Sequence, residues 1–287
     1  MSQQEQGALA TRRLIDGSLL AVLGVLAFWF TLSTLEQFNY NWDWPKAWSW
    51  ISKPNENYGG LSFFASTILN SLKITGCVVI FATILGFIGG LARTSSIHIF
   101  RVLSSTYVGI VRNLPPLVSI FILHFFVTGQ LIPLFPLEPF TNWLGEGALR
   151  RLIFADPAVL ENMISGIIAL SIIEGAFITE IVRGGMKGIP QGQAEAGRSL
   201  GLSSLQTLRH ILIPQLLKII RLPLGNSVVS ILKNTAILSL ISVQDLTFGA
   251  QDIANSGGPI FEIWIITAGI YLILCVSIDQ ALKRVLR

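Results

Sequence analysis

Glu174 and Glu180 are two carboxylates six positions apart in an otherwise apolar stretch. At 3.6 residues per turn that spacing puts them on different faces of a helix, so they do not make the paired acid and base that proton-transfer chemistry requires. The three histidines, His98, His124 and His210, share no ligand spacing, and no Cys or carboxylate cluster accompanies them. A metal site is therefore not expected. Cys77 and Cys275 each lie in a long apolar run and read as buried thiols behaving as small apolar residues. The G-x4-GK[ST] run that cradles nucleotide phosphates is absent, so the chain is expected not to hydrolyse ATP itself. These residues point away from an enzyme and from a cofactor bound by this chain.

What remains is a set of polar residues inside apolar runs, whose chemistry is binding. An ionisable group in mid-membrane costs about 2.5 to 3.5 kcal/mol on insertion scales and by default marks a function. Glu174 is such a group, and it needs either a ligand cation or Lys233 as its partner. Asn234 and Thr235 offer hydrogen bonds to a small polar ligand near the midplane, although interhelical packing uses the same residue types. Asn113, Pro115 and Pro116 interrupt a helix, because a proline pair removes two backbone donors and clashes with the preceding turn. Irregular backbone at membrane depth survives where it lines a cavity or is buried in protein. Asn70 and Lys73 are expected to meet solvent near a span end. Asp245 and Asp252 read as structural caps or as contacts for an external protein, not as ion ligands.

The elements that position these residues are membrane spans. Of the 287 residues, 52% are hydrophobic and 13% charged, against about 25% charged in a soluble domain. Stretches near the roughly 20 residues needed to cross a bilayer fall at about 15–35, 66–92, 107–128, 161–182, 222–243 and 260–281. An N-terminus on the cytoplasmic side puts fourteen of the twenty Lys and Arg in cytoplasmic segments, including Arg12 and Arg13, and four (Lys46, Lys53, Arg150 and Arg151) outside. That bias fits the positive-inside rule and leaves both termini cytoplasmic. No small-residue cleavage site precedes Leu32, so the first span reads as a retained anchor, not a signal peptide. Residues 1–60 form this anchor and an outer loop whose Trp42, Trp44, Trp48 and Trp50 suit an interfacial belt; residues 61–287 form the main transmembrane domain. The pairs Gly86 and Gly90, Gly184 and Gly188, and Gly197 and Gly201 match the spacing for close helix contact. No basic stripe suited to nucleic acid is present.

The loop at about 184–221 carries its own helix punctuation. Pro190 opens a short helix, Gly201 closes it, and Ser203 with Gln206 reads as a capping box for a second helix. Leu205, Leu208 and Leu212 are expected to share one face of that helix, and Pro214 to end or kink it. The unit suits a soluble docking partner as well as it suits the membrane surface.

The run Glu195-Ala196-Gly197, with Gly201, Ile211 and Pro214 at matching spacing, resembles the EAA loop of permease subunits of binding-protein-dependent ABC importers, whose pattern is EAA-x3-G-x9-I-x-LP. Gly197 replaces the second alanine and Ile213 the usual leucine. The segments Arg112 to Val118, Thr179 to Gly185 and Leu232 to Thr235 resemble the polar amino-acid branch of that family. The resemblance covers roughly residues 65–285 and implies an all-α type I ABC importer permease fold with about six spans. It also implies a non-catalytic inner-membrane subunit that moves L-amino acids by alternating access. The implied partners are a cytoplasmic ATPase dimer carrying ATP and Mg, an external amino-acid-binding protein and a second permease, for which the extra N-terminal span and Glu174 favour a heterodimer. Coupling to the ATPase falls on Glu195, Ala196, Gly197, Arg198, Gly201 and Pro214, with Arg198 as an internal ion-pair candidate for Glu195. The competing reading is an ion-coupled secondary transporter or channel acting without an ATPase. Inverted repeats would favour it, and none is convincing here.

Overall fold

The computed structural model describes residues 17–26, 28–30, 32–33, 40–54, 61–131 and 157–285. Arg12, Arg13, Arg150, Arg151 and Arg287, and most of the outer loop expected after the third span, lie outside the described residues. Contacts divide the chain into Met1–Asp43 and Trp44–Arg287. The first unit contains an apolar helix α1 (Gly17–Phe30), and its Tyr40 and Trp42 rings meet edge to face at 5.2 Å.

The second unit is helical among the described residues. It comprises α2 (Trp44–Ser52), α3 (Phe63–Thr94), α4 (His98–Asn113), α5 (Pro116–Ile122), α6 (Pro157–Lys187), α7 (Gln191–Ser199), α8 (Ser204–Thr207), α9 (Ile213–Asn234), α10 (Leu246–Asn255) and α11 (Ile260–Val285). Four continuous helical stretches are long and apolar enough to cross a membrane: Phe63–Thr94, Leu160–Lys187, Ser204–Ile241 and Ile260–Val285. The pair α4 and α5, which continues to Leu131, is bent by 113° and makes a fifth if counted as one span. The expected third span at 107–128 is thus misplaced at its start. Residues 107–113 belong to α4, because Pro115 and Pro116 forbid the helix to continue and Pro116 instead opens α5 at its first turn.

Close glycine contacts set the helix directions. On α3, Gly86, Gly89 and Gly90 lie against Ile178, Thr179 and Val182 of α6, so that a methyl group on any of them would collide. Sequence numbers rise together along this contact, so α3 and α6 run parallel. Gly166, Glu174 and Gly185 of α6 meet Leu238, Asn234 and Ile220 respectively, so α9 and its continuation run antiparallel to α6. The core between them is built from Ile74, Val78, Ile120, Leu170, Ile173, Leu216, Ile231 and Leu238. The second and fourth spans thus run in one direction and the fifth in the other, as consecutive crossings of a membrane must. Of the expected glycine pairs, Gly86 and Gly90 make the close contact; Gly184 faces open space, and its neighbour Gly185 is the residue pressed against Ile220 and Leu216.

The Trp-rich segment is partly a helix. Buried Ala47 of α2 packs against a cluster containing Phe64, Ile253 and Ile263, while Trp44 and Trp48 stay exposed.

Candidate functional site

The loop expected to couple begins at Pro190, which occupies the N-cap of α7 in extended backbone. Gly201 has φ +76, the left-handed conformation that favours glycine, and the Leu202 N–H closes back on the Gly197 carbonyl at 3.1 Å. The Ser203 hydroxyl accepts from the Gln206 N–H at 3.3 Å, and the Gln206 side chain accepts from the Ser203 N–H at 2.8 Å, a complete capping box for α8. The two short helices touch where Gly197 meets Thr207. A methyl group on Gly197 would stand 2.8 Å from the threonine methyl and 2.9 Å from its hydroxyl. The glycine that departs from the family pattern is therefore matched to the threonine opposite it.

Pro214 does not end the helix. Residues Leu208–Leu212 form one π turn, in which the Ile213 N–H reaches back five residues to the Leu208 carbonyl, and α9 starts immediately after it. Proline sits at the first turn of α9, where an N–H is not needed. The wider turn also shifts the leucine stripe: Leu208 and Leu212 are half-buried, but Leu205 is 74% exposed and Thr207 takes the buried position. Across the glycine turn Leu200 is 77% exposed. Glu195, Ala196 and Arg198 are exposed as well, and Glu195 and Arg198 make no ion pair with each other, against expectation. One side-chain tie to the span, Gln215 to Gln193 at 3.1 Å, reinforces the base of the unit.

Within the membrane region Glu174 is 3% exposed and accepts a 2.6 Å hydrogen bond from the Asn234 side-chain amide. The expected partner Lys233 is exposed on another face of α9. One residue of rotation decides this: Asn234 faces α6 and Lys233 does not. Thr235 is buried and spends its hydroxyl on the Leu232 carbonyl at 2.8 Å, at the point where α9 tightens into the 3-10 segment Thr235–Ile241. Ser171, one turn before Glu174, has a buried hydroxyl without a hydrogen-bond partner among the described residues, a neighbour that the sequence does not mark. Asn113, Pro115 and Pro116 are exposed at the 113° bend, and the Asn113 amide returns to the Gly109 carbonyl at 2.7 Å. The structure brings Glu174 and Asn234 into contact; Lys233 is turned away from them.

Glu180, which the sequence marks only by its helix face and its place in the Thr179 to Gly185 segment, holds an ion-pair cluster together. Its carboxylate joins Arg93 of α3 to Arg183, the latter through Nη2 at 2.6 Å and Nε at 2.9 Å. Alternating charge signs at the ends of two apolar helices were the available signal.

Beyond the far end of α9, Asp245 is fully buried and caps α10. It accepts from the Phe248 N–H at 2.9 Å, the Thr247 N–H at 3.2 Å and the Tyr271 hydroxyl at 3.0 Å. Burial pushes its carboxyl up to about 6, against those hydrogen bonds, which pull it down. The Asn70 amide donates to the Gln244 carbonyl at 3.0 Å and the Ser71 hydroxyl accepts from the Leu246 N–H at 2.9 Å. Asn70 is thus buried and does not meet solvent as expected. His98, His124 and His210 lie on different elements, and no metal-binding group occurs among the described residues.

Residues 82–287 match the sequence profile of the family described as binding-protein-dependent transport system inner membrane component. The chain is 29% identical to the putative amino-acid ABC transporter permease protein YhdX of Escherichia coli, over 78% of this chain and 77% of that one. It is 33% identical to the L-cystine transport system permease protein TcyB of Bacillus subtilis, over 72% and 78%. A solved amino acid ABC transporter with histidines superimposes with a TM-score of 0.61 at 29% identity, over 78% of this chain and 93% of that one. An inward-facing structure of the MetNI methionine ABC transporter gives 0.58 at 16% identity, a likeness of fold alone.

Proposed function

This chain belongs to the family of binding-protein-dependent transport inner-membrane components, and from that premise we propose that it carries L-amino acids inward across a bacterial inner membrane. It is a multi-pass, non-catalytic permease subunit of an ABC importer. Amino acids as the substrate class are supported by the relatives, several of which are named for amino-acid transport. The reading assigns a substrate ammonium to Glu174, whose hydrogen-bond partner Asn234 is neutral and which makes no ion pair among the described residues.

The reading assigns ATP and Mg to a cytoplasmic ATPase dimer, delivery to an external binding protein, and the other half of the pathway to a second permease, in a heterodimer. The observation that carries it is the unit from Pro190 to Pro214. It opens on Pro190, carries a capping box at its second helix, presents Glu195, Leu200 and Leu205 outward, and runs without a break into α9. A rigid unit on an unbroken helix can pass ATPase closure on to the pathway, whereas a flexible loop would absorb it. The lysine and arginine bias supports a cytoplasmic side for this unit and for both termini.

Vesicles reconstituted with the full set of subunits test the reading. Uptake of a labelled amino acid should require ATP and binding protein. Uptake by the chain alone, driven by an ion gradient, would establish the secondary transporter instead.

A further inference from the structure

Arg93, Arg112 and Arg183 gather around one carboxylate, Glu180, so the cluster carries an excess of two positive charges. Both carboxylate oxygens are taken: Oε1 by Arg93, Oε2 by Arg183. Arg112 comes no nearer than 3.9 Å to Oε2, beyond hydrogen-bonding distance, and its side chain is 41% exposed. What holds it is an aromatic shelf, with its guanidinium 5.2 Å from the centre of the Phe177 ring. Its planar fork of donors is therefore oriented and without a hydrogen-bonded partner among the described residues. Such a fork matches the paired oxygens of a phosphate.

The surroundings say where that phosphate comes from. Ile110, Leu114 and Leu117, within five positions of the arginine along the bend, are exposed apolar side chains, as is Phe177, the α6 ring on which its guanidinium rests. A free phosphate gains nothing from such a surface, whereas the acyl chains of a lipid cover it. We propose that Arg112, backed by Arg93 and Arg183, binds the phosphate of an anionic phospholipid headgroup at the bend between α4 and α5. Glu180 fixes the two backing arginines without neutralising the third. The bound lipid ties α4 to the end of α6, next to the coupling unit. The inference rests on the chain being membrane-embedded, and is independent of the transport direction and of the amino acid carried.

Native mass spectrometry of the detergent-purified full chain tests it, with added phosphatidylglycerol or phosphatidylcholine, for wild type, Arg112→Gln, Arg112→Lys and Arg101→Gln. Wild type and Arg101→Gln should retain phosphatidylglycerol in preference to phosphatidylcholine by about fivefold or more, the worth of one interfacial cation. Arg112→Gln should lose the preference at an unchanged melting temperature, and Arg112→Lys should keep only part of it. Displacement of the lipid by millimolar inorganic phosphate would make the site a free-anion site and overturn the lipid assignment. A preference that survives in both Arg112 variants would overturn the site. If Arg112→Gln misfolds, the lysine variant alone decides, since it keeps the charge and removes the fork. Failure here leaves the vesicle uptake result untouched, so the two readings fail separately.

Discussion

Two helix-containing turns bracket the same long helix, and they are built in opposite ways. At one end of α9 the unit from Pro190 to Pro214 is held by internal contacts, the glycine turn, the capping box and the Gly197 to Thr207 packing. It exposes Glu195, Arg198, Leu200 and Leu205. Past the other end, the turn from Val243 into α10 is packed into the protein. Asp245, Leu246, Ala250 and Ile253 are all buried, and α3 and α11 pin it through Asn70, Ser71 and Tyr271. The first is a lever with a free surface and the second an anchor. On the proposed function, a helix fixed at one end and gripped by an ATPase at the other would transmit force along its length.

The contrast breaks most sharply if the lever is disabled without touching the anchor. Glu195→Arg with Gly201→Pro reverses the exposed charge and forbids the φ of +76. Amino-acid uptake in vesicles should fall to background while the melting temperature of the purified chain barely moves; a large loss of stability would mean that the unit is part of the core. The anchor should answer in the opposite way. Asp245→Ala removes the α10 cap and one of the Tyr271 hydroxyl's partners, leaving it the Thr247 hydroxyl at 3.0 Å, and should cost about 1 to 3 kcal/mol of stability in denaturant titrations.

Acid sharpens the same comparison. Because the folded carboxyl of Asp245 titrates near 6, above its ordinary value, its protonated form is the one the fold favours. Its contribution is fully present below about pH 4 and is lost as pH rises through about 6, by up to about 3 kcal/mol. Melting curves should show this drop in wild type, and Asp245→Asn should flatten it. The smallest effect belongs to the joint inside the lever. Gly197→Ala should loosen the α7 to α8 contact by about 1 to 2 kcal/mol, read as faster amide exchange at 197–207. Thr207→Ala in the same chain should restore protection, because it removes the two atoms that an added methyl would strike.

The sequence made the lever legible because its signals are local. Pro190, Gly201 and the Ser203 to Gln206 spacing act within one or two turns, and each appears where expected. Long apolar runs likewise located α3, α6 and α11 to within a few residues. What could not be read depends on register and on distant neighbours. The π turn at Leu208–Leu212 has no sequence mark, yet it carries the helix past Pro214. Lys233 and Asn234 are adjacent, and only the packing of α9 on α6 decides which one faces Glu174. Asn70 looked like a residue at a solvated span end because its partner, Gln244, is 174 positions away.

The central claim is that the exposed unit at Glu195 to Pro214 grips an ATPase. Affinity purification of the solubilised chain from its native membrane, with identification of co-purifying proteins, tests it most directly. A P-loop ATPase should come down with wild type and be lost with Glu195→Arg plus Gly201→Pro. A chain that purifies alone and transports unaided in vesicles would contradict the account.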